Sequence, residues 1–301
     1  MGSPTQDIHD IEAPVTEAIV QGRSLWDDAR RRLLRNRAAV VSMWVLGILL
    51  FIAAFGPMLW VHDSETQSNL IKIAPTFENW HLLGTDFLGR DYLARLMIAL
   101  RISLLVGLIA TFVSLVIGVT WGATAGFLGG RVDNVMMRIV DVLYALPFIF
   151  FVILLITVFG QNIFLIFAAI GAIEWLTMAR IVRGQTLAIK NREFIEAARA
   201  AGVSQMDMIR RHVLPNVIGP VAVYVTLTIP VVILAESFLS FLGLGVNEPL
   251  TSLGVLISHG EDELRDRPWM LLIPAATMAV TLLALNFLGD GLRDALDPKE
   301  R

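Results

Sequence analysis

Long apolar segments without charged side chains constrain the folding of this chain more than any other feature of its sequence. A membrane-spanning helix needs about 20 predominantly apolar residues, and five segments of that length contain no Asp, Glu, Lys or Arg. One of them, residues 142–173, is long enough for two spans, and Gly160-Gln161-Asn162 predicts a hairpin within it. The sequence therefore predicts an all-α, polytopic membrane protein with six transmembrane helices, near residues 39–60, 102–126, 135–159, 163–181, 217–236 and 270–289.

The composition agrees with this class. The chain is 55% hydrophobic, carries 17% charged residues and has a mean hydropathy of +0.67, whereas a soluble domain carries about 25% charged residues. Cysteine is absent, which excludes disulfides and thiolate metal sites. The net charge of −3 predicts that nucleic acid is not a partner.

The distribution of Lys and Arg predicts the orientation of the spans, because cytoplasmic loops carry an excess of both. With the N-terminus inside, eighteen basic residues fall in the inner segments and six in the outer ones, so we expect both termini in the cytoplasm. The resulting division is a cytoplasmic tail at 1–37, a first span with a periplasmic segment at 38–101, a core transmembrane domain at 102–289 and a cytoplasmic tail at 290–301.

The first 37 residues are polar and lack the apolar core of a cleavable signal peptide. We expect residues 1–22 to be disordered. Residues 22–37 form either a basic amphipathic helix on the membrane surface or a solvated tail with a cluster of charges.

One polar segment, residues 190–216, separates the fourth predicted span from the fifth. Its Ala- and Glu-rich beginning favours a helix, which Gly202 would end in a left-handed cap. Ser204 can cap a second helix with Asp207 in the capping-box position, and Pro215 would end that helix. The apolar face of the second helix would consist of Met206, Ile209 and Val213.

This polar segment resembles the EAA loop of ABC-importer membrane subunits, whose pattern is Glu-Ala-Ala, three residues, Gly, nine residues, Ile-x-Leu-Pro. The sequence departs from that pattern at His212, which takes the Ile position. The resemblance implies that the segment couples the permease to a cytoplasmic ATPase. The residues implied in this coupling are Glu196, Ala197, Ala198, Gly202, Ser204, Leu214 and Pro215.

The resemblance extends from Gly22 to the C-terminus and is most like the C subunits of oligopeptide permeases, within the group for dipeptides, nickel chelates and related solutes. It implies a type I importer permease in the inner membrane of a bacterium, surrounded by lipid. It also implies as partners a homologous second permease subunit, two cytoplasmic ATPases that bind ATP and Mg, and an extracytoplasmic peptide-binding protein. Such a chain moves its substrate by alternating access and catalyses no reaction.

Three features of the predicted outer side each allow two interpretations. The stretch that begins at Gly84 resembles the short helix before the core of these permeases, and would lie along the membrane interface or form a plain amphipathic connector. Glu236, near the outer end of the fifth span, would line an outer gate or be a membrane-edge residue with a hydrogen-bond partner. The acidic outer loop at 246–268 would suit docking of a soluble partner or be an ordinary solvated loop.

Three further charges lie within or beside predicted spans. Arg138 and Asp141, three residues apart on one helical face, predict an ion pair at the bundle surface. Glu174 lies near the predicted cytoplasmic end of the fourth span. The alternative role for these charges is to line a translocation path.

Signatures of enzyme chemistry are absent from the sequence. None of the three lysines follows a Gly, so there is no phosphate loop, and the five histidines show no metal-ligand spacing. We therefore expect no catalytic residue, cofactor or metal on this chain. Three other classes fit the sequence less well. An ion-driven secondary transporter would need charges in the span centres, which are free of them. A membrane enzyme would need clustered His or Asp, which are scattered here, and a passive scaffold would leave the EAA loop unexplained.

Overall fold

The computed structural model describes residues 25–160 and 162–296, and the regular structure in this part of the chain is helical. Among the described residues, the strand-like pairing is limited to an isolated β-bridge between Thr85 and Asp91. The helices are α1 (Leu25–Arg35), α2 (Arg37–Leu59), α3 (Tyr92–Leu128), α4 (Gly130–Tyr144), α5 (Phe148–Phe159), α6 (Ile163–Lys190), α7 (Glu193–Ala200), α8 (Gln205–Met208), α9 (Leu214–Phe241), α10 (Leu253–Asp262) and α11 (Trp269–Leu296), with a π turn at Ile209–Val213.

The described helices include five that are long and apolar enough to cross a membrane: α2, α3, α6, the continuous run from α8 to α9, and α11. A sixth candidate is the pair α4 and α5, whose axes differ by 83° across a short break. The predicted all-α membrane fold is confirmed, and six spans are present when the bent pair counts as one. The predicted basic helix at 22–37 coincides with α1 over its described part.

The third predicted span is therefore broken rather than straight. Pro147 lies between the two helices and is the residue before Phe148, where α5 begins. Proline lacks a backbone N–H and pushes the preceding residue, here Leu146, out of helical geometry. The hydrogen-bonded ladder of α4 consequently ends at Tyr144, and the chain turns before it resumes as α5.

The stretch before the second predicted span is not a separate interfacial helix. α3 begins at Tyr92 and continues for 37 residues to Leu128 without a proline. Asp91 caps it, accepting a hydrogen bond from the Ala94 N–H at 2.7 Å. The residues expected to lie along the interface therefore form the first turns of the spanning helix itself.

The centre of the bundle is the contact between α3 and α6, which depends on glycines spaced four apart. A Cβ on Gly118 would lie 2.5 Å from the Met178 Cβ, and one on Gly122 would lie 2.4 Å from the Ala179 carbonyl oxygen. These distances are far below van der Waals contact, so only glycine lets the two backbones approach this closely.

The second helix of the polar segment does not stop at Pro215. α8 passes through the π turn into α9, where Pro215 occupies one of the first two positions. The helix is continuous on the N-terminal side of Pro215, so the missing N–H removes one hydrogen bond from the ladder. The wider π turn carries the chain past the proline, with the Leu214 N–H bonded to the Ile209 carbonyl.

The two ends of the described chain meet on one side of the bundle. A Cβ on Gly291 of α11 would lie 2.5 Å from the Ala39 Cβ at the start of α2. Leu296, the last described residue, lines a cleft together with Glu193 at the start of α7. Both ends of the described chain therefore lie on the same side as the polar segment, and the assignment of that side to the cytoplasm stays a prediction.

Candidate functional site

The first half of the polar segment is α7, a two-turn helix with one face in the protein core. Glu193 and Glu196 lie in its first turn and Arg199 in its last, where each charge is favourable for the helix dipole. Ile195 and Ala198 are buried. They pack in a cluster with residues of α3, α6 and α9, which fixes the helix against the bundle.

Gly202 ends α7 as predicted. Its φ of +79° is in the left-handed region, which glycine adopts without a Cβ clash. The Gly202 N–H donates to the Arg199 carbonyl and the Val203 N–H donates to the Ala198 carbonyl, both at 3.1 Å. This is the Schellman pattern that satisfies the last carbonyls of a helix.

Ser204 caps α8, and its partner is the predicted one. The Ser204 hydroxyl accepts the Asp207 N–H at 3.2 Å and donates to the Asp207 carboxylate at 2.7 Å. The predicted apolar face is only partly correct: Ile209 and Val213 are buried, whereas Met206 is 52% exposed. Met208 is buried instead and packs in the same cluster as Ile209 and Val213.

The residues implied in coupling divide by exposure. Five of them are free to contact another protein in this structure: Glu196, Ala197, Gly202, Ser204 and Pro215. Ala198 is buried and Leu214 is half-buried. Gly202 and Ser204 form the exposed turn between α7 and α8, whereas Glu196 and Ala197 lie on α7 and Pro215 at the start of α9. Ala198 and Leu214 pack against the bundle.

A long cleft opens beside the polar segment. Its volume is about 1320 Å³, and it lies between the last turns of α6, the first half of α9 and the end of α11. Arg192, Glu193 and Arg293 lie at its polar end, and Tyr224 and Leu227 are the lining residues furthest along α9.

Glu236 is fully buried near the outer end of α9. Ser240 donates a hydrogen bond to one carboxylate oxygen at 2.6 Å, and Ser103 of α3 donates to the other at 3.2 Å. The Ser103 oxygen in turn accepts the Leu253 N–H at the start of α10. Glu236 therefore links α3, α9 and α10 in this structure, and a role in an outer gate stays a prediction.

Two of the five acidic residues in the outer loop at 246–268, Glu248 and Glu263, form ion pairs with basic residues of the chain. Arg90 binds Glu248 through both terminal nitrogens and Asp86 through Nε at 2.7 Å. Arg95, itself buried, contacts Glu248 at 3.2 Å. The hydrogen bond from Arg90 holds the pKa of Glu248 below its usual range.

A second outer pair has the same effect on a second acid. Lys72 and Arg267 both bind Glu263, and the hydrogen bond from Lys72 lowers the pKa of that carboxyl. These contacts connect the segment after α2 to the loop before α11.

The outer side also contains a cluster that the sequence spacing does not reveal. The rings of His62 and His81 stack with centroids 4.2 Å apart, and His81 Nδ1 lies 2.8 Å from the Asp91 carboxylate. One potential ligand atom from each of the three residues lies within 4.8 Å of the others. The other Asp91 oxygen already accepts hydrogen bonds from Trp60 and Ala94, so the cluster connects the end of α2 to the start of α3.

The predicted pair of Arg138 with Asp141 is wrong in its partner. Asp141 binds Arg180 of α6 at 2.9 Å, and the Arg180 guanidinium stacks over the Tyr144 ring. A second pair, Asp133 with Arg183, is bidentate at 2.6 and 2.7 Å. The ion pairs of α4 thus run to α6.

Comparison with known proteins gives two family matches. Residues 118–301 match the family described as binding-protein-dependent transport system inner membrane component. Residues 24–75 match the N-terminal TM domain of oligopeptide transport permease C.

Curated relatives align over nearly the full length. The oligopeptide transport system permease protein OppC of Escherichia coli (strain K12) is 55% identical over 94% of this chain and 94% of its own length. The protein of the same name from Haemophilus influenzae is 52% identical over 95% of this chain and 93% of its own. The dipeptide transport system permease protein DppC of Bacillus subtilis is 44% identical over 92% of this chain and 87% of its own.

Proposed function

Because the chain belongs to the family of binding-protein-dependent transport system inner membrane components, we propose that it is the C-type permease subunit of an ABC importer for oligopeptides. It is a multi-pass protein of the inner membrane whose role is transport. The relatives named OppC, at 52% and 55% identity, support oligopeptides as cargo. The relative named DppC supports dipeptides as the second candidate.

The observation that carries the mechanism is the continuous helix from Gln205 to Phe241. At 1.5 Å per residue its 37 residues span about 55 Å. The exposed turn at Gly202 stands at the start of this helix. A partner that holds the turn can therefore move α9 as a lever, without deforming a flexible connection.

The partner that fits this turn is a cytoplasmic ATPase subunit. The turn would enter a groove on the ATPase as a short helical contact. Two ATPases that bind ATP and Mg would close on each other and bring the turns of this chain and of a second, homologous permease together. The spans would then switch a central cavity between outward and inward access, with substrate delivered by an extracytoplasmic binding protein.

An ion-driven secondary transporter is the rival class. Glu174 lies well inside α6, so charge-free span centres no longer argue against that class. The lever from the exposed turn into α9 favours the ATP-driven reading, because an ion-driven carrier has no use for a docking turn outside the membrane.

Reconstitution tests the proposal. The chain is co-expressed with the second permease, the ATPases and the binding protein from the same source, and the purified complex is placed in vesicles. We expect uptake of labelled oligopeptides only when ATP is present in the compartment that the ATPases face, and no uptake with an ATPase partner that cannot hydrolyse ATP. Failure of an ATPase to co-purify, or uptake driven by an ion gradient alone, would contradict the proposal.

A further inference from the structure

Glu174 lies near the middle of α6, one of the candidate membrane spans. It follows Ile163, the first residue of α6, by eleven positions, which is about 16 Å along a helix. The hydrocarbon core is about 30 Å thick. The helix continues for another sixteen residues to Lys190, so Glu174 lies closer to the middle of α6 than to either end, and its position relative to the cytoplasmic side stays a prediction.

Among the acidic residues of α4 and α6, Glu174 is the one that has no cationic partner within the part of the chain that the structure describes. Of the acids on α4 and α6, Asp133 binds Arg183 and Asp141 binds Arg180. Glu174 is half-buried and makes no hydrogen bond or ion pair with the residues that the structure describes. An unpaired carboxylate at this depth is too costly to face lipid, and such groups face protein or water.

The break between α4 and α5 lies within the sixth candidate span, where the two helix axes differ by 83°. Tyr144, the last residue of α4, stacks on Arg180 of α6, six positions after Glu174. Residues 145–147 are exposed and non-helical. Irregular backbone at membrane depth occurs only where protein or a water-filled cavity covers it, so this face of the chain is not in contact with lipid.

The cleft beside the polar segment reaches the same region. Tyr224 is ten positions into α9, about 15 Å from its start, and lines the cleft. The charge of Glu174 is close enough to act on the Tyr224 hydroxyl. The cleft thus leads from the side of the polar segment to the neighbourhood of Glu174.

We propose that the junction of α4 and α5, Glu174 and Tyr224 face the translocation path, and that Glu174 binds the ammonium group of a passing peptide there. An ammonium group offers three donors to a carboxylate, and such charge-assisted bonds are among the stronger ones. Every peptide with a free N-terminus carries this group, so the contact would not select among side chains. The identity of the ligand rests on the proposed function, whereas the exposure of this face to water does not.

Thiol labelling in the assembled complex tests that exposure. The chain has no cysteine, so Glu174→Cys and Leu146→Cys each introduce a single thiol. We expect both to react with a small, water-soluble, charged thiol reagent. The control is Ile48→Cys on α2, an exposed apolar position that should stay unreactive within lipid. An unreactive Glu174→Cys beside a denatured sample that reacts fully would overturn the path assignment.

Peptide uptake tests whether Glu174 binds the ammonium group of the peptide. In vesicles with the wild-type partners, we expect Glu174→Gln to lower the transport rate of peptides with a free N-terminus about tenfold, and Glu174→Asp to recover most of it. Glu78→Gln, the same charge change on an exposed outer residue, should transport at the wild-type rate. Wild-type rates for Glu174→Gln would overturn the ammonium contact and leave the proposed function intact, whereas a wild-type complex that moves no peptide would overturn the proposed function.

Discussion

At the scale of single residues, Gly202 combines a backbone conformation that favours glycine with a proposed role in coupling to the ATPase. A Cβ there would contact nothing within 4 Å, so the cost of a substitution is the strain of a φ of +79°. Such strain costs about 1–3 kcal/mol, and each 1.4 kcal/mol is about tenfold in affinity. We expect Gly202→Val to insert into the membrane normally, to lose at least fivefold in ATPase pull-down, and to lower peptide uptake in parallel.

Gly160→Val is the matched control for that variant. Gly160 has a φ of +78° and equally open surroundings, but lies in the hairpin between α5 and α6. Its ψ of 171° lies in a region that is essentially restricted to glycine, so Gly160→Val should bear at least as much strain as Gly202→Val and still keep its ATPase. Equal pull-down and uptake for Gly202→Val and Gly160→Val would remove the coupling role from the polar segment.

A second residue-scale prediction concerns pH and the outer ion pairs. Because Arg90 lowers the pKa of Glu248, the ionised pair stabilises the folded protein above the unfolded-state pKa of about 4.5, and this contribution disappears as the pH falls through the lower folded-state pKa. We expect Glu248→Gln to reduce the melting temperature at pH 7 and the difference from the unmodified chain to shrink towards pH 4.

The control for this experiment is Glu261→Gln in the same outer segment, where the carboxylate is exposed. Its melting temperature should follow that of the unmodified chain from pH 4 to pH 8. A deficit of Glu248→Gln that stays constant over this range would show that the ionised carboxylate is not what stabilises the outer side.

The conformation of a residue could be predicted from the sequence where its hydrogen-bond partners are only a few positions away. Gly202 and Ser204 follow from capping rules that involve only the next few positions, and both have the expected geometry. The contact of Arg90 with Glu248 spans 158 positions, and the stacking of His62 on His81 depends on how α2 meets α3. No spacing rule along a chain contains that information.

At the scale of helices, hydrophobicity predicted where spans exist but not where they break. Pro147 and Pro215 both follow apolar or amphipathic runs, yet Pro147 separates two helices by 83° and Pro215 lies within a continuous run. The difference is the π turn before Pro215, which relieves the clash with the preceding turn. A sequence rule that stops helices before proline is therefore correct for one position and wrong for the other.

The close contact of α3 with α6 gives an element-scale prediction. Any side chain at Gly122 would meet the Ala179 carbonyl at 2.4 Å and force the two helices apart. We expect Gly122→Ala to lower the melting temperature of the purified complex and the yield of folded protein, by an amount typical of overpacking, about 1–3 kcal/mol. Fluorescence-detected thermal unfolding in detergent measures both.

Gly184→Ala is the control on α6, since a Cβ there would meet nothing within 4 Å. Alanine favours a helix by up to about 1 kcal/mol over glycine, so this variant should be neutral or slightly more stable. A Gly122→Ala protein as stable as Gly184→Ala would mean that the helices do not approach as closely as described.

At the scale of the whole molecule, the chain has two chemically different sides. Ion pairs connect the segment after α2 with the loops around α10 on one side. The other side carries the exposed turn, the start of α2 and the end of α11. Eighteen of the basic residues were assigned to this second side from the sequence, so the arrangement of the helices and the positive-inside rule agree on which segments share a side.

The orientation of these two sides in the membrane is the last prediction. The turn side faces the cytoplasm if the excess of Lys and Arg decides insertion. Asn69→Cys and Gln205→Cys place single thiols at exposed positions on opposite sides of a chain without cysteine, and neither removes the Ser204 cap. We expect an impermeant thiol reagent to label Asn69→Cys in intact cells and to label Gln205→Cys only after the membrane is opened. Labelling of Gln205→Cys from outside would reverse the topology, and would also place the exposed turn where no cytoplasmic ATPase can reach it.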